Sequence, residues 1–274
     1  MALTDAEVMY NLALGLIGEY KVVEGATTTK QYLLCSRFYD LARQETLRAH
    51  PWNEVNKPII ISQDSDLPIF GYSRKYAKPS DCLRVLTVND SIGADVSRRA
   101  PSSAAWESKG DYIFADAGAT PPSWESGKAY YAGQFFTTSS SGSAVTYEVL
   151  VSHTSDTTGA DEAAQIAVDV ADLDIESKGG DYKIIYVEYI WDDEDVDNYS
   201  PQLKYAVAVN LASKIITGLT NDTQGKIALI NEYNNLVMPN ARSMDGAEGK
   251  PRPIFASEWI RSRTEGMGGG WYVV

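Results

Sequence analysis

The chain is poor in the residues that most catalytic and metal sites are built from. Of 274 residues, two are histidine (His50, His153) and two are cysteine (Cys35, Cys82). They are too scattered for a zinc-type spacing and too few for a disulfide framework. Cys35 falls on an apolar helical face and reads as a buried thiol. No Gly-x-Ser-x-Gly elbow is present. The run Gly266-Met267-Gly268-Gly269-Gly270 is followed by neither Lys-Ser/Thr nor a helix, so it is not a phosphate loop. No catalytic, cofactor-binding or metal residue is therefore assigned, and no enzyme activity is expected. Positive charge is also scarce. A formal net charge of −13 argues against sequence-specific nucleic-acid binding, which needs a basic footprint. No apolar run approaches the roughly 20 residues that span a bilayer, so no membrane partner is expected. Met1-Ala2-Leu3-Thr4-Asp5 lacks the charged and apolar regions of a secretory leader, which predicts folding in a cytoplasm.

What remains is an ordinary globular composition, 44% apolar and 22% charged. A single unit of this length buries about 75% of its unfolded surface. Thr4 to Glu7 is a capping signal, and Leu3, Ala6, Met9, Leu12, Ala13, Leu16 and Ile17 recur at helical spacing. The first helix is expected over 4–17, with Gly18 as its stop. Thr28 or Thr29 caps a second helix, about Thr29 to Ala49. Its apolar stripe is Tyr32, Cys35, Tyr39, Ala42 and Leu47, with Lys30, Arg37, Arg43 and Arg48 off it. His50-Pro51 ends it, because proline disfavours helical geometry in the preceding residue, and Trp52 lies just beyond. Ser200 as cap and Pro201 at the first position open a third helix that runs to about Thr217. Asn221-Asp222-Thr223 opens a fourth, which runs to Val237.

Strands are expected in the β-branched run Ile59-Ile60-Ile61, in Phe70 to Tyr76, and from Leu83 on, after a turn at Ala77 to Cys82. Asn89 to Ser103 reads as loop. Glu107-Ser108-Lys109-Gly110-Asp111-Tyr112 recurs as Glu176-Ser177-Lys178-Gly179-Gly180-Asp181-Tyr182, with one extra glycine. Each copy reads as a turn entering a strand. The Ser-, Thr-, Gly- and Ala-rich segment between them is expected to be a small module inserted between two strands of the host domain. Its stretch Trp124 to Phe136, followed by Tyr147, resembles the small β-modules of the chitin-binding type. In those, exposed aromatics stack on sugars, which offers Trp124, Tyr130 and Tyr147 as glycan contacts. In modules this small the same aromatics also serve as core.

Asp192-Asp193-Glu194-Asp195-Val196-Asp197 lacks the glycine and glutamate of an EF-hand loop and reads as a solvated loop favouring the next helix N-terminus. From Pro239 on, the chain is rich in Gly, Pro and Arg and cannot build a core of its own. Its bases and aromatics, Arg242 and Lys250 with Arg252, Trp259, Arg261, Arg263, Trp271 and Tyr272, suggest a segment that orders on a partner.

Asn11 to Glu19, then Tyr39-Asp40-x-Ala42-Arg43-x-x-x-Leu47-x-x-x-Pro51-Trp52, resembles the tail adaptor family (tail tubular protein A, the head-to-tail connector) of T7-like and other tailed bacteriophages. Tyr76 to Val85 looks like that family's Pro-x-Asp-Cys strand start, and Tyr186 to Ile190 with Pro201-Gln202-Leu203-x-x-Ala206 like its return from strand to helix. The resemblance covers about 1–116 and 181–250. It implies a homo-oligomeric ring, usually of twelve copies, beneath a portal protein and above a tail nozzle protein, with room for DNA in its lumen. It implies a virion location, at the head–tail junction, after assembly in the host cytoplasm. The expected architecture is α+β: a bundle of about four helices with a small sheet (1–116 and 181–245), an inserted all-β module (117–180), and an extended docking arm (246–274). The insert lies outside the resemblance. It would serve as decoration, as a contact to tail fibres, or as a carbohydrate- or receptor-binding element.

Overall fold

Four capping signals read from the sequence set the helices. The computed structural model describes residues 3–23, 25–89, 105–116, 118–138, 144–155, 166, 169–170, 174–179 and 182–248. Helix α1 spans Asp5–Leu16, with Thr4 and Glu7 forming a reciprocal capping box. Its chain leaves through Gly18 at a φ of 73°, a left-handed turn that glycine adopts freely. Helix α2 spans Lys30–Arg48 with Thr29 as cap. Helix α3 spans Pro201–Thr220, with Ser200 as cap and Pro201 in the first turn. Helix α4 spans Thr223–Glu232 with Asp222 as cap.

The fourth helix does not stop at Val237. One π turn, Tyr233–Val237, joins it to α5, Met238–Glu248. Proline inside a helix lacks an N–H and crowds the carbonyl four residues back. The wider π turn sits just before Pro239, and at the junction Met238 N–H reaches back to the Tyr233 carbonyl. The expected arm therefore begins later than Pro239, and residues 246–248 are helical. The rest of the arm, 249–274, with Arg252, Trp259, Arg261, Arg263, Trp271 and Tyr272, lies outside the described residues.

Helix α3 is apolar nearly all round and sits at the centre of the bundle, buried through Leu203, Ala206, Val207, Val209, Leu211 and Ile215. Helices α1, α2, α4 and α5 pack around it. The buried face of α1 is rotated from the expected one. Met9, Tyr10, Ala13 and Leu14 are buried, whereas Leu3, Leu12 and Leu16 are exposed. Tyr10 decides this, because its ring meets Tyr32 and Tyr39 of α2 edge-on at 5.7 and 5.4 Å.

Beside the bundle lies an antiparallel sheet in which β11 (Ile184–Trp191) is central, flanked by β1 (Asn56–Ser62) and β3 (Cys82–Asn89). Alternation splits β11. Ile185, Val187 and Tyr189 join one apolar cluster, and Ile190 joins the helical core. A second sheet, β2 (Arg74–Ala77), β5 (Tyr112–Ala115) and β4 (Trp106–Lys109), covers the first cluster with Tyr76 and Ile113. The expected strand over Phe70 to Tyr76 begins only at Arg74. Gly71 sits at a φ of 90° and Phe70 is 84% exposed, so the chain there is a loop. The loop expected over 89–103 falls almost wholly on residues that are not described.

The described strands from Ala129 through the start of the second repeat pair with one another. They are β7 (Phe135–Thr138), β8 (Val145–Val149) and β10 (Ile175–Gly179) in one sheet, and β6 (Ala129–Tyr130) with β9 (His153–Thr154) in another. The two repeat copies differ in role. The first is a tight hairpin joining β4 to β5 through Gly110 at a φ of 53°. The second leaves β10, paired to β8, and runs into β11, paired to β1 and β3. Where the segment leaves and returns, Ala119 and Ile184 exchange two backbone hydrogen bonds, of 2.8 and 3.0 Å. Gly118 is needed there: a Cβ would lie 2.7 Å from Lys183 Cβ.

Candidate functional site

The end of α2 is built from remote parts of the chain. A helix leaves its last carbonyls without partners. Here the Trp52 indole N–H donates to the Thr46 carbonyl at 3.0 Å, Arg84 to that of Arg48 at 3.3 Å, and Arg242 to that of Ala49 at 3.3 Å. Trp52 is buried, its ring edge-on to His50 at 4.8 Å. Asp245 of α5 completes the junction. Its carboxylate lies 2.9 Å from His50 Nε2 and accepts the Asn53 backbone N–H at 2.8 Å. Arg242, read in the sequence as a base of the arm, is thus a capping residue of the bundle.

Farther along α2, Arg43 overturns the expectation that it lies off the buried stripe. It is 1% exposed, donates to the Asp193 carbonyl at 2.6 Å, and lies 3.1 Å from an Asp192 carboxylate oxygen. The expected solvated acidic loop is therefore partly interior. Asp193 is buried, its carboxylate accepting from Asp195 N–H at 2.9 Å and Asn198 Nδ2 at 3.1 Å. Gln44 takes the other oxygen of Asp192 at 2.8 Å. Glu194, Asp195 and Asp197 face solvent. Between α2 and α3, the Asn210 amide donates to the Ala42 carbonyl at 3.0 Å and to Thr46 Oγ1 at 3.2 Å.

A cleft of about 560 Å³ opens beside Arg43, lined by Thr4, Asp5, Ala6, Tyr10, Ser36, Tyr39, Asp40, Arg43, Glu194 and Asp195. Burial pushes the Tyr39 hydroxyl up to about 12, with Asp40, Asp5 and Glu194 adding to the shift and Arg43 opposing it. Among the described residues no group of His, Cys, Asp or Glu is arranged to hold a metal ion. No helix there is long and apolar enough to cross a membrane.

The rings offered for glycan contact belong to the small core between the repeats. Tyr130 is 3% exposed, and its hydroxyl accepts the Glu125 backbone N–H at 2.7 Å, so its face is not presented for stacking. Trp124 and Tyr147 are half-buried over the same cluster, Tyr147 stacked on Phe136 at 5.6 Å. The exposed ring of this unit is Tyr131, which sequence reasoning passed over. Sequence reasoning also passed over the tip of the β1–β2 loop, where Leu67, Ile69 and Phe70 are 69%, 99% and 84% exposed.

The fold and these junctions define an α+β protein with closely fitted helix ends. No protein-family model matches the chain, and no curated protein is detectably similar to it.

Proposed function

We propose that the chain is a structural virion subunit, an adaptor that assembles with copies of itself into a ring joining a portal to a tail nozzle. One observation carries the structural reading: both motifs behind the resemblance hold structural posts. Pro51-Trp52 closes the end of α2. Pro79-Ser80-Asp81-Cys82 forms the turn into β3, where Asp81 accepts from the Tyr189 hydroxyl at 3.0 Å. Neither is left facing a substrate. Assembly is supported by apolar side chains on separated surfaces, the Leu67-Ile69-Phe70 tip and Ile227 with Ile230 on α4. Unlike patches of this kind suit head-to-tail contacts, which close into rings. Residues 249–274 serve as the arm that docks on the neighbouring ring. Residues 117–180 are a small module set into the host domain, a reading supported by the Ala119–Ile184 pairing beside its two ends. The reading assigns no catalytic step.

The deciding measurement is the mass of the complex with portal protein. A ring stoichiometry near twelve copies is expected, and a chain that stays monomeric beside an unbound portal would reject the proposal. Truncation after Glu248 should abolish portal attachment while leaving the melting curve in place.

A further inference from the structure

Helices α1 and α2 are antiparallel neighbours. Glu19, just beyond the end of α1, accepts from Gln31 near the start of α2 at 3.4 Å, and the Tyr10 ring meets those of Tyr32 and Tyr39. Each helical residue turns about 100° from the last, so side chains two positions apart point to nearly opposite faces. Val8 and Leu12, two residues to either side of Tyr10, therefore face away from α2, and so does Leu16, one turn past Leu12. Arg37 and Leu41, two residues to either side of Tyr39, face away from α1, and so does Leu33, one turn before Arg37. All six are exposed. The two outer faces lie at opposite ends of one α1–α2 layer, so they cannot meet within a chain.

The faces are complementary. On α1 the apolar residues lie between two acids, Asp5 and Glu19, and a Cβ on Gly15 would meet nothing within 4 Å. A helix that is apolar on both sides is ordinarily covered on both. On α2 the leucines alternate with Lys30, Arg37 and Arg48, none of which has an ion-pair partner among the described residues. The acids beside them are engaged within the chain, Asp40 by Arg43 at 3.5 Å and Glu45 by Lys214 at 2.6 Å. The apolar spacing also matches: Val8 and Leu16 are eight residues apart, as are Leu33 and Leu41, about 12 Å in each case.

We propose that the outer face of α1 seats on the outer face of α2 in a second copy of this chain, extending the layer head to tail. Continuing the antiparallel alternation sets Leu16 over Leu33 and Val8 over Leu41. It brings Glu19 to Lys30, lays Leu12 on the aliphatic stem of Arg37, and leaves Asp5 one turn from Arg48. Pairing α1 with α1 would set acid against acid, since the stretch from Asp5 to Glu19 holds no base. A single helix pair is a small contact against the ~800 Å² per partner of a standard interface, so binding between two copies is weak and gains from ring closure. The inference rests on the ring reading above and names the contact between its subunits.

Cysteine cross-linking of the full chain tests it. In a Cys82→Ser background, Leu16→Cys/Leu33→Cys treated with a short bismaleimide should give a ladder of dimer, trimer and larger species, and either cysteine alone should give monomer. Adding Lys30→Glu/Arg37→Glu should reduce the cross-linked fraction about tenfold, and Asp5→Lys/Glu19→Lys on top of that should restore it. Absence of a ladder would overturn the proposal. So would a ladder that survives the first charge reversal, or a dimer from Leu16→Cys alone, which would pair α1 with α1. If the cysteine pair melts early, sedimentation of the otherwise native chain replaces it. Lys30→Glu/Arg37→Glu should then lower the weight-average mass at high concentration, and an unchanged mass would overturn the contact. A ring stoichiometry with portal protein but no ladder rejects this contact alone, and a ladder without portal binding rejects the adaptor reading alone.

Discussion

Arg43 shows how one charged side chain organises two distant stretches. At 1% exposure it holds the Asp192–Asp193 turn against α2. Removing one partner of a buried ionic contact leaves the other uncompensated, so Arg43→Met should cost about 3 kcal/mol, measured by urea unfolding. A loss below about 0.5 kcal/mol would put Arg43 among surface residues and refute this role. The buried acids of the core make a second prediction. Burial pushes Cys35 from 9.0 to about 12, and Tyr39 and Tyr76 from 10.0 to about 12. Between the unfolded and folded values the unfolded chain has lost protons that the folded chain still holds, so stability falls as pH rises. The contribution is complete below about pH 9 and is lost progressively toward pH 12. Melting temperature should therefore decline over that window, less steeply in Tyr76→Phe; an unchanged slope in that variant would exclude Tyr76 as a source.

Among the elements, α2 and α5 depend on each other. Trp52, Arg84 and Arg242 satisfy the last carbonyls of α2, and Asp245 ties α5 to His50 and Asn53. Trp52→Ala removes a buried ring and a cap together and should destabilise by about 4 kcal/mol. Hydrogen exchange should show the amides of 238–248 losing protection along with the end of α2. Loss confined to α2 would mean that the two elements are not coupled. The cause of the stop was legible in His50-Pro51. Its partners were not, because they come from residues 84, 242 and 245, and helical periodicity carries no information about contacts across such separations. The same limit explains α1. Its spacing admitted two adjacent faces, and the Tyr10 contacts with α2 chose between them.

For the whole molecule, the Ala119–Ile184 pairing brings together the two ends of the stretch between them. Joining these two residues through a short Gly-Gly link, without residues 120–183, should leave a protein that unfolds in one transition. The sheet β1–β11–β3 draws its pairing from outside the excised stretch. Loss of cooperative unfolding in the excised protein would show that the segment is integral to the host fold.

Local order was enough to place the helix starts at Thr4 and Ser200 and the stop at Pro51, and to narrow the other two starts to Thr28 or Thr29 and to 221–223, of which the fold uses Thr29 and Asp222. The same holds for the strand at Ile59–Ile61 and for the strand entered after the second repeat copy, which is β11. Caps, prolines and β-branched runs act through neighbours a few residues away, so local order is enough to read them. Contacts between distant segments settle that Arg43 lies inside and Tyr130 in a core, that Arg242 caps a helix rather than extending an arm, and that Tyr39 borders a carboxylate-lined cleft. Burial and charge pairing depend on which distant segments meet, and that is settled when the surfaces of α1, α2, α3 and the 192–195 turn close on one another.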